Sequence, residues 1–485
     1  MRFTKRTVAA ALVLAVVTTL SPALTAGEAP KAPARADVLV GSWLGKNKSD
    51  ERAFFVVSRR WNGGLKASYG IVEQKVSGVP MESVALAGDT VKIAAPTLQL
   101  SFEGTLSADG RKIEGRLRSG GRGGPLVLEK VVAVPGPRRP QTPRKPYPYQ
   151  ERVVHYRNEA AGLTLVGTLT LPKSGAPYPA VLLIPGSGAS DRNEEARFHR
   201  PFDVIADYLT RRGIAVLRAD KRGVDESEGD WTKADVNVLA DDVIAGLKYL
   251  TTLPEIDAKR MGVLGQSEGG EVGPAAAAMS SDVSFVVALA GGATNWLDLL
   301  VAQDGAIAAA AGASEKQAEL IRNWSRRFYT VAVNTPDKAK ARTLLKDMKA
   351  KRTAEEREAY SFLPRGGTLD VDTLLQDSVL GNFRLDAGKT LVKVKCPILM
   401  LFGEKDCQVP AQVNHKAAED AFKASGNKNA KVVTLPGMNH CFQKCSTGAE
   451  SEYSEIEETI SPEALKLFGD WIEAHTKAQG TAKPK

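Results

Sequence analysis

The residues best suited to chemistry in this chain lie in the run Gly265-Gln266-Ser267-Glu268-Gly269-Gly270. A serine hydroxyl becomes a nucleophile when a base takes its proton. It also needs a backbone that pushes it clear of its surroundings, and flanking glycines allow this where a strand turns sharply into a helix. G-x-S-x-G is made of common residues, so the weight falls on its partners. Of the five histidines, His155 falls in a strand-like run, and His415 and His475 fall inside helical patterns. His199, in "EEARFHRP", is expected near the mouth of the site. His440 follows the strand-like "KVVTL" in the loop "PGMNHCF", which makes it the expected base. The third partner must orient that imidazole and offset its charge. "ILMLFGEKD" places Glu404 and Asp406 just past another strand end; Asp406 is favoured, with Asp298 as the alternative. The oxyanion donors expected are the backbone N–H of Glu268 and that of Ser187 or Gly188, in the loop after "AVLLI". Such a set performs acyl transfer and needs neither metal nor cofactor.

The elements needed to position these groups are legible around them. "AVLLI", "IAVLRA", "MGVL", "FVVAL", "ILMLF" and "KVVTL" are short, apolar and rich in β-branched residues, as strands of a parallel sheet buried on both faces must be. Helical periodicity separates them; in "NVLADDVIAGLKYL", Leu239, Val243, Leu247 and Leu250 share one face. Alternation of this kind predicts an α/β fold with a mostly parallel sheet and sites at the strands' carboxyl ends. Between "FVVALAGG" and "CPILMLFG" lies a long, mostly helical stretch, expected to form a helical cap over about residues 293–390. The rival reading of "PGSGASDR", a nucleotide-binding G-x-G-x-x-G, fails at its third glycine, where Asp191 stands.

Upstream the rhythm changes to period two. Across residues 37–132, runs such as "AFFVVS", "LKASYGIV", "LQLSFEGTL", "RKIEGRL" and "PLVLEKV" alternate with Gly-rich turns and predict a small antiparallel β-domain, barrel or sandwich. "PGPRRPQTPRKPYPYQ" reads as a Pro-rich linker over 133–150, followed by a catalytic domain over 151–476. The formal charge of +9 concentrates in the two termini and this linker. No basic helix or interleaved aromatics accompany it, so solvated tails are expected and not a nucleic-acid surface. Arg2, Lys5 and Arg6 precede an apolar run from Val8 to Leu20, then Pro22 and small residues to Ala26. That is the pattern of an export signal over 1–26, which predicts a periplasmic or extracellular protein without a stable membrane span after cleavage. Cys396, Cys407, Cys441 and Cys445 then fall where pairing is permitted.

Together, G-S-G-x-x-D-R, "RADKRGVDESEGD", "GQSEGG", "GEKD" and "GMNH" resemble the α/β-hydrolase superfamily. They look most like a bacterial group of exported serine esterases related to dienelactone hydrolases and serine aminopeptidases. The chain order Ser267, Asp406, His440 is also that of the superfamily. The resemblance runs from about Glu151 to the C-terminus and implies a small-molecule acyl ester as substrate. A peptidase, an acyltransferase or thioesterase on the same fold, or a binding protein without chemistry, are the other readings. It further implies that Asp191-Arg192 and Asp220-Lys221-Arg222-Gly223 are structural, joining loops around the site. The β-domain resembles an N-terminal extension of some members. One departure is a cysteine beside each of two triad candidates, Cys407 and Cys441. A bridge from Cys407 to Cys441 or Cys445 would tie the acid loop to the base loop.

Overall fold

The computed structural model describes residues 34–363 and 369–477. The expected export signal at 1–26 lies outside the described residues. An eight-stranded sheet runs in the spatial order Gln150–Asn158, Leu163–Leu171, Ala215–Ala219, Tyr178–Ile184, Ile256–Gln266, Phe285–Leu289, Ile398–Gly403 and Ala430–Leu435. The first two strands pair antiparallel, and the remaining six run parallel to one another. Their composition explains the arrangement. Every residue of Phe285–Leu289 and of Ile398–Gly403 is buried, because helices cover both faces of the sheet. Parallel pairing brings the carboxyl ends of Ile256–Gln266, Ile398–Gly403 and Ala430–Leu435 to one edge, and residues 267, 406 and 440 follow those ends.

The helix Val236–Thr251 shows how the sequence sets these elements. Asp235 caps it by accepting from the Asn237 and Val238 N–H groups, and Leu239, Val243, Leu247 and Leu250 are buried, as their spacing predicts. The interruption expected between the fourth and fifth parallel strands of the chain is helical. Its described residues form Trp296–Ala310, Glu315–Asn334, Lys338–Ala350, Ala354–Tyr360 and three further short helices ending with Ala387–Lys393. These helices have a hydrophobic core of their own, centred on Trp324, Phe328, Tyr329 and Tyr360. Cys407 joins that core from the sheet side, so the insertion is anchored beside the strand ends. Among the described residues, no helix is long and apolar enough to cross a membrane.

The N-terminal region forms a single nine-stranded antiparallel sheet. It curls so that Leu65–Ile71 meets Ser83–Ala87, around a core of Trp43, Phe55, Phe102 and Ile113. Two of its strands, Gly41–Lys46 and Val76–Met81, have too little alternation to be read from sequence. This sheet grips the α/β region at two loops. Lys66 pairs with Asp225 at 2.6 Å and Glu226 at 2.8 Å, and Ser77 Oγ accepts from the Phe198 N–H at 2.6 Å.

The Pro-rich segment departs from expectation. Its basic residues are not all solvated: Arg139 is buried and donates to the carbonyl oxygens of Arg197, Ser454 and Ile456. Gln141 accepts from the Thr459 N–H and donates to the Ile460 carbonyl. The segment is therefore docked along the C-terminal loops. A guanidinium can satisfy several carbonyls at once, which makes burial of this one tolerable.

Candidate active site

Ser267 stands where the strand Ile256–Gln266 ends and the helix Gly269–Met279 begins. Its φ is +54°, a left-handed backbone conformation that a non-glycine residue adopts only when its surroundings enforce it. The enforcement is visible. The Ser267 N–H donates to the Leu289 carbonyl at 2.8 Å, and its own carbonyl accepts from the Gly270 N–H at 2.8 Å. A Cβ on Gly265 would lie 1.9 Å from the Gly269 carbonyl oxygen, and one on Gly269 would lie 2.1 Å from that of Ile184. Both glycines are therefore clearance for a strand and helix in near collision.

His440 lies in the loop after Ala430–Leu435, with its Nδ1 at 2.9 Å from Asp406 Oδ2. Asp406 Oδ1 accepts the N–H groups of Gln408 and Val409 at 2.8 and 2.9 Å, so its carboxylate is fixed before it meets the imidazole. With a carboxylate on Nδ1, the ring carries its proton there and leaves Nε2 as the basic atom. Burial alone would push His440 down, but the charge and hydrogen bond of Asp406 outweigh it and hold the imidazole above its ordinary value. Gln266 Nε2 donates to the His440 carbonyl at 3.4 Å, joining the serine strand to the histidine loop.

The other acids are engaged elsewhere. Glu404 accepts from the Gly437 N–H, and Asp298 pairs with Arg326 and Asn295 within the inserted helices. His199 borders the same cavity as His440, but both of its ring nitrogens are taken, by Thr459 Oγ1 and the Tyr453 carbonyl at 3.0 Å each.

Two cavities meet at Ser267 and Ser187. One, of about 320 Å3, is bordered by His440, Glu194, His199 and Tyr453. The other, of about 360 Å3, runs under the inserted helices between Trp231, Trp296, Leu299 and Leu300, and is also bordered by Gly188 and Glu268. Ser187, Gly188 and Glu268, the expected oxyanion donors, are thus brought beside Ser267. No hydrogen bond among the described residues occupies the N–H of Ser187 or of Glu268. Asp220 forms a buried pair with Arg192, and Arg222 with Asp242, which gives those motif residues the loop-joining role expected of them.

Glu194 has no place in the sequence reading, and Lys221 has there only a general loop-joining role. Glu194, inside the charge run "DRNEEAR", is half-buried, and desolvation of its carboxyl pushes it up to about 7 despite a hydrogen bond from the Gly186 N–H. Lys221 reaches from "ADKRG" to the Gly186 carbonyl and the Glu268 carboxylate. Glu194 has no local sequence signal, and the motif that holds Lys221 does not name its partners, which are distant along the chain. The bridge from Cys407 to Cys441 or Cys445 is absent: all four cysteines are free thiols. Cys407 Sγ instead donates to the Gly448 carbonyl at 3.2 Å. Burial pushes the thiols of Cys407 and Cys441 up to about 12, which makes them poor nucleophiles. Among the described residues no cluster of His, Cys, Asp and Glu could hold a metal ion.

Residues 161–418 match the model of the X-Pro dipeptidyl-peptidase (S15) family. The chain belongs to the S15 family. That membership places it in the α/β-hydrolase superfamily. This S15 chain is also 34% identical over 110 residues to Esterase EstD of Thermotoga maritima, a match covering 23% of the chain and 26% of that relative. It therefore spans about a quarter of the length of the curated relative it matches. Among solved structures, similarity extends to Est1E from Butyrivibrio proteoclasticus bound to ferulic acid, with 17% identity and a TM-score of 0.39, covering 66% of this chain and 96% of that one. The esterase Pf2001 of Pyrococcus furiosus is similar at 16% identity and TM-score 0.39, over 67% of this chain and 93% of that one.

Proposed function

We propose that this S15-family protein is an exported serine hydrolase that cleaves carboxylic esters through a Ser267–His440–Asp406 triad. The observation that carries the reading is the meeting of a strained Ser267 and a carboxylate-paired His440 on one cavity. Ser267 Oγ attacks the acyl carbonyl as His440 Nε2 takes its proton. The tetrahedral oxyanion accepts hydrogen bonds from the N–H groups of Glu268 and of Ser187 or Gly188. His440 then protonates the departing alkoxide, leaving an acyl-enzyme that water, activated by the same imidazole, hydrolyses. The histidine must reach the leaving group, so the alcohol belongs in the cavity bordered by His440. The acyl chain then lies in the cavity under the inserted helices, whose Trp231, Trp296, Leu299 and Leu300 favour an apolar group.

The regional likeness to an esterase supports the ester. Family membership favours a second reading, cleavage of a peptide after an X-Pro dipeptide. Purified protein is expected to turn over short-chain p-nitrophenyl esters faster than an X-Pro-p-nitroanilide, with Ser267→Ala inactive on both. The reverse preference would make it a peptidase. Failure on esters, thioesters and peptides alike, with no fluorophosphonate labelling of Ser267, would leave a binding protein. Export rests on the leader-like residues 1–26, and N-terminal sequencing of secreted protein is expected to begin just past Ala26.

A further inference from the structure

We propose that Lys221 is a positioning residue that pins and polarises the oxyanion hole, an inference that rests on the nucleophilic reading of Ser267. Its buried Nζ donates to the Gly186 carbonyl oxygen at 2.5 Å and to Glu268 Oε2 at 2.8 Å. Those two partners are not arbitrary. The Gly186 carbonyl and the Ser187 N–H belong to the same peptide group, and Glu268 carries the other expected donor N–H. One ammonium thus holds both sides of the hole.

The effect on Ser187 follows from peptide electronics. The C–N bond shares electrons between oxygen and nitrogen. A cation hydrogen-bonded to the oxygen draws density toward it and leaves the N–H a stronger donor, since aligned hydrogen bonds polarise one another. The same contact fixes the plane of that peptide. Glu194 Oε1 accepts the Gly186 N–H at 2.5 Å, so the glycine is held at both its N–H and its carbonyl. The Lys221 N–H also donates to the Ser190 carbonyl at 3.2 Å, tying the lysine's own backbone to the oxyanion loop. At the far end, Glu268 Oε1 lies 3.5 Å from Asn382 Nδ2 of the inserted helices, so the carboxylate is braced from the cap side too. The side chains of Lys221 and Glu268 are only 4% and 9% exposed, which keeps water from screening the ammonium.

A donor that is merely part of the scaffold would change stability or substrate affinity when removed. A group that tunes the hole changes transition-state stabilisation. Lys221→Met strands the Glu268 carboxylate, so the double variant Lys221→Met/Glu268→Gln, which removes the buried charges together, keeps the test valid should the single variant not fold. With a p-nitrophenyl ester, kcat is expected to fall about 10- to 100-fold, less than loss of a direct donor. KM is expected to stay within about threefold, the mark of an interaction made in the transition state. Affinity for an aryl trifluoromethyl ketone, whose hemiketal places an oxyanion in the hole, is expected to fall in parallel with kcat. Lys221→Arg, which keeps the charge, is expected to recover part of both losses. Unchanged kcat in folded variants, or a loss confined to KM, overturns the proposal while leaving the ester reading intact. A wild-type protein without turnover or fluorophosphonate labelling overturns the ester reading first, and with it this inference.

Discussion

Two buried histidines border one cavity, and their surroundings give them opposite character. His440 faces a carboxylate, and its imidazole is held above the ordinary value against the pull of burial. His199 faces a hydroxyl and a carbonyl, and burial, with the nearby Arg139 charge, pushes it down to about 4. Burial is common to both, so the difference comes from the partner. Burial alone makes a histidine that stays neutral down to about pH 4, whereas burial beside a fixed anion makes one that can accept a proton and hold it. The first suits an architectural brace, here tying the loop after Glu195 to the C-terminal loops; the second suits a general base.

Exchange of the two roles is the most severe test of that contrast. His440→Ala is expected to lower ester kcat by about 10^4- to 10^6-fold, as loss of a triad base does. His199→Asn is expected to lower it by less than about tenfold, since its ring nitrogens are already spoken for. Steady-state turnover of both variants checks this, and a comparable collapse in His199→Asn would dissolve the distinction.

Asp406→Asn sharpens the comparison by giving His440 the kind of neutral partner His199 has. The expected loss in kcat is about 10^4-fold, because the amide no longer sets the tautomer. The pH profile carries the sign. A general base works only when unprotonated, so activity falls as pH drops through its pKa. In the native protein Asp406 raises that pKa above 6.5. Without its charge, burial dominates, and the acid limb of residual kcat/KM is expected to move to lower pH. A limb that stays in place would mean that Glu450 or Glu194, which also favour the charged imidazole, supply most of the effect.

The sequence made His440 and Asp406 legible because each directly follows a short apolar strand, and a parallel sheet gathers such ends on one edge. Ser267 was legible for the same reason, with Gly265 and Gly269 marking the tight turn. The long helical stretch before "ILMLF" was legible because no crossover needs so many residues. What was not legible depends on approach in space. Lys221 sat inside a recognisable motif, yet its contact with Gly186 forms only when the ends of Tyr178–Ile184 and Ala215–Ala219 lie side by side. A basic residue among prolines is expected to be solvated, but three carbonyls from distant loops bury Arg139. Adjacency of two cysteines to residues that do meet suggests a bridge, but Cys407 faces Gly448 and the helical core instead.

The mildest prediction concerns stability, where His199 should act alone. Its value falls from 6.5 in the unfolded chain to about 4 in the fold. Between those pH values the unfolded chain binds a proton that the folded one refuses. This favours unfolding, so the histidine's drag on stability is absent above 6.5 and grows as pH falls toward 4. His199→Asn removes the titrating group and keeps a side chain able to hydrogen-bond. Its Tm is expected to drop less than that of the native protein between pH 7 and pH 5, even where the two differ at pH 7. An equal drop in both would mean that the cavity beside His199 admits enough water to charge the imidazole, and burial would then no longer separate it from His440.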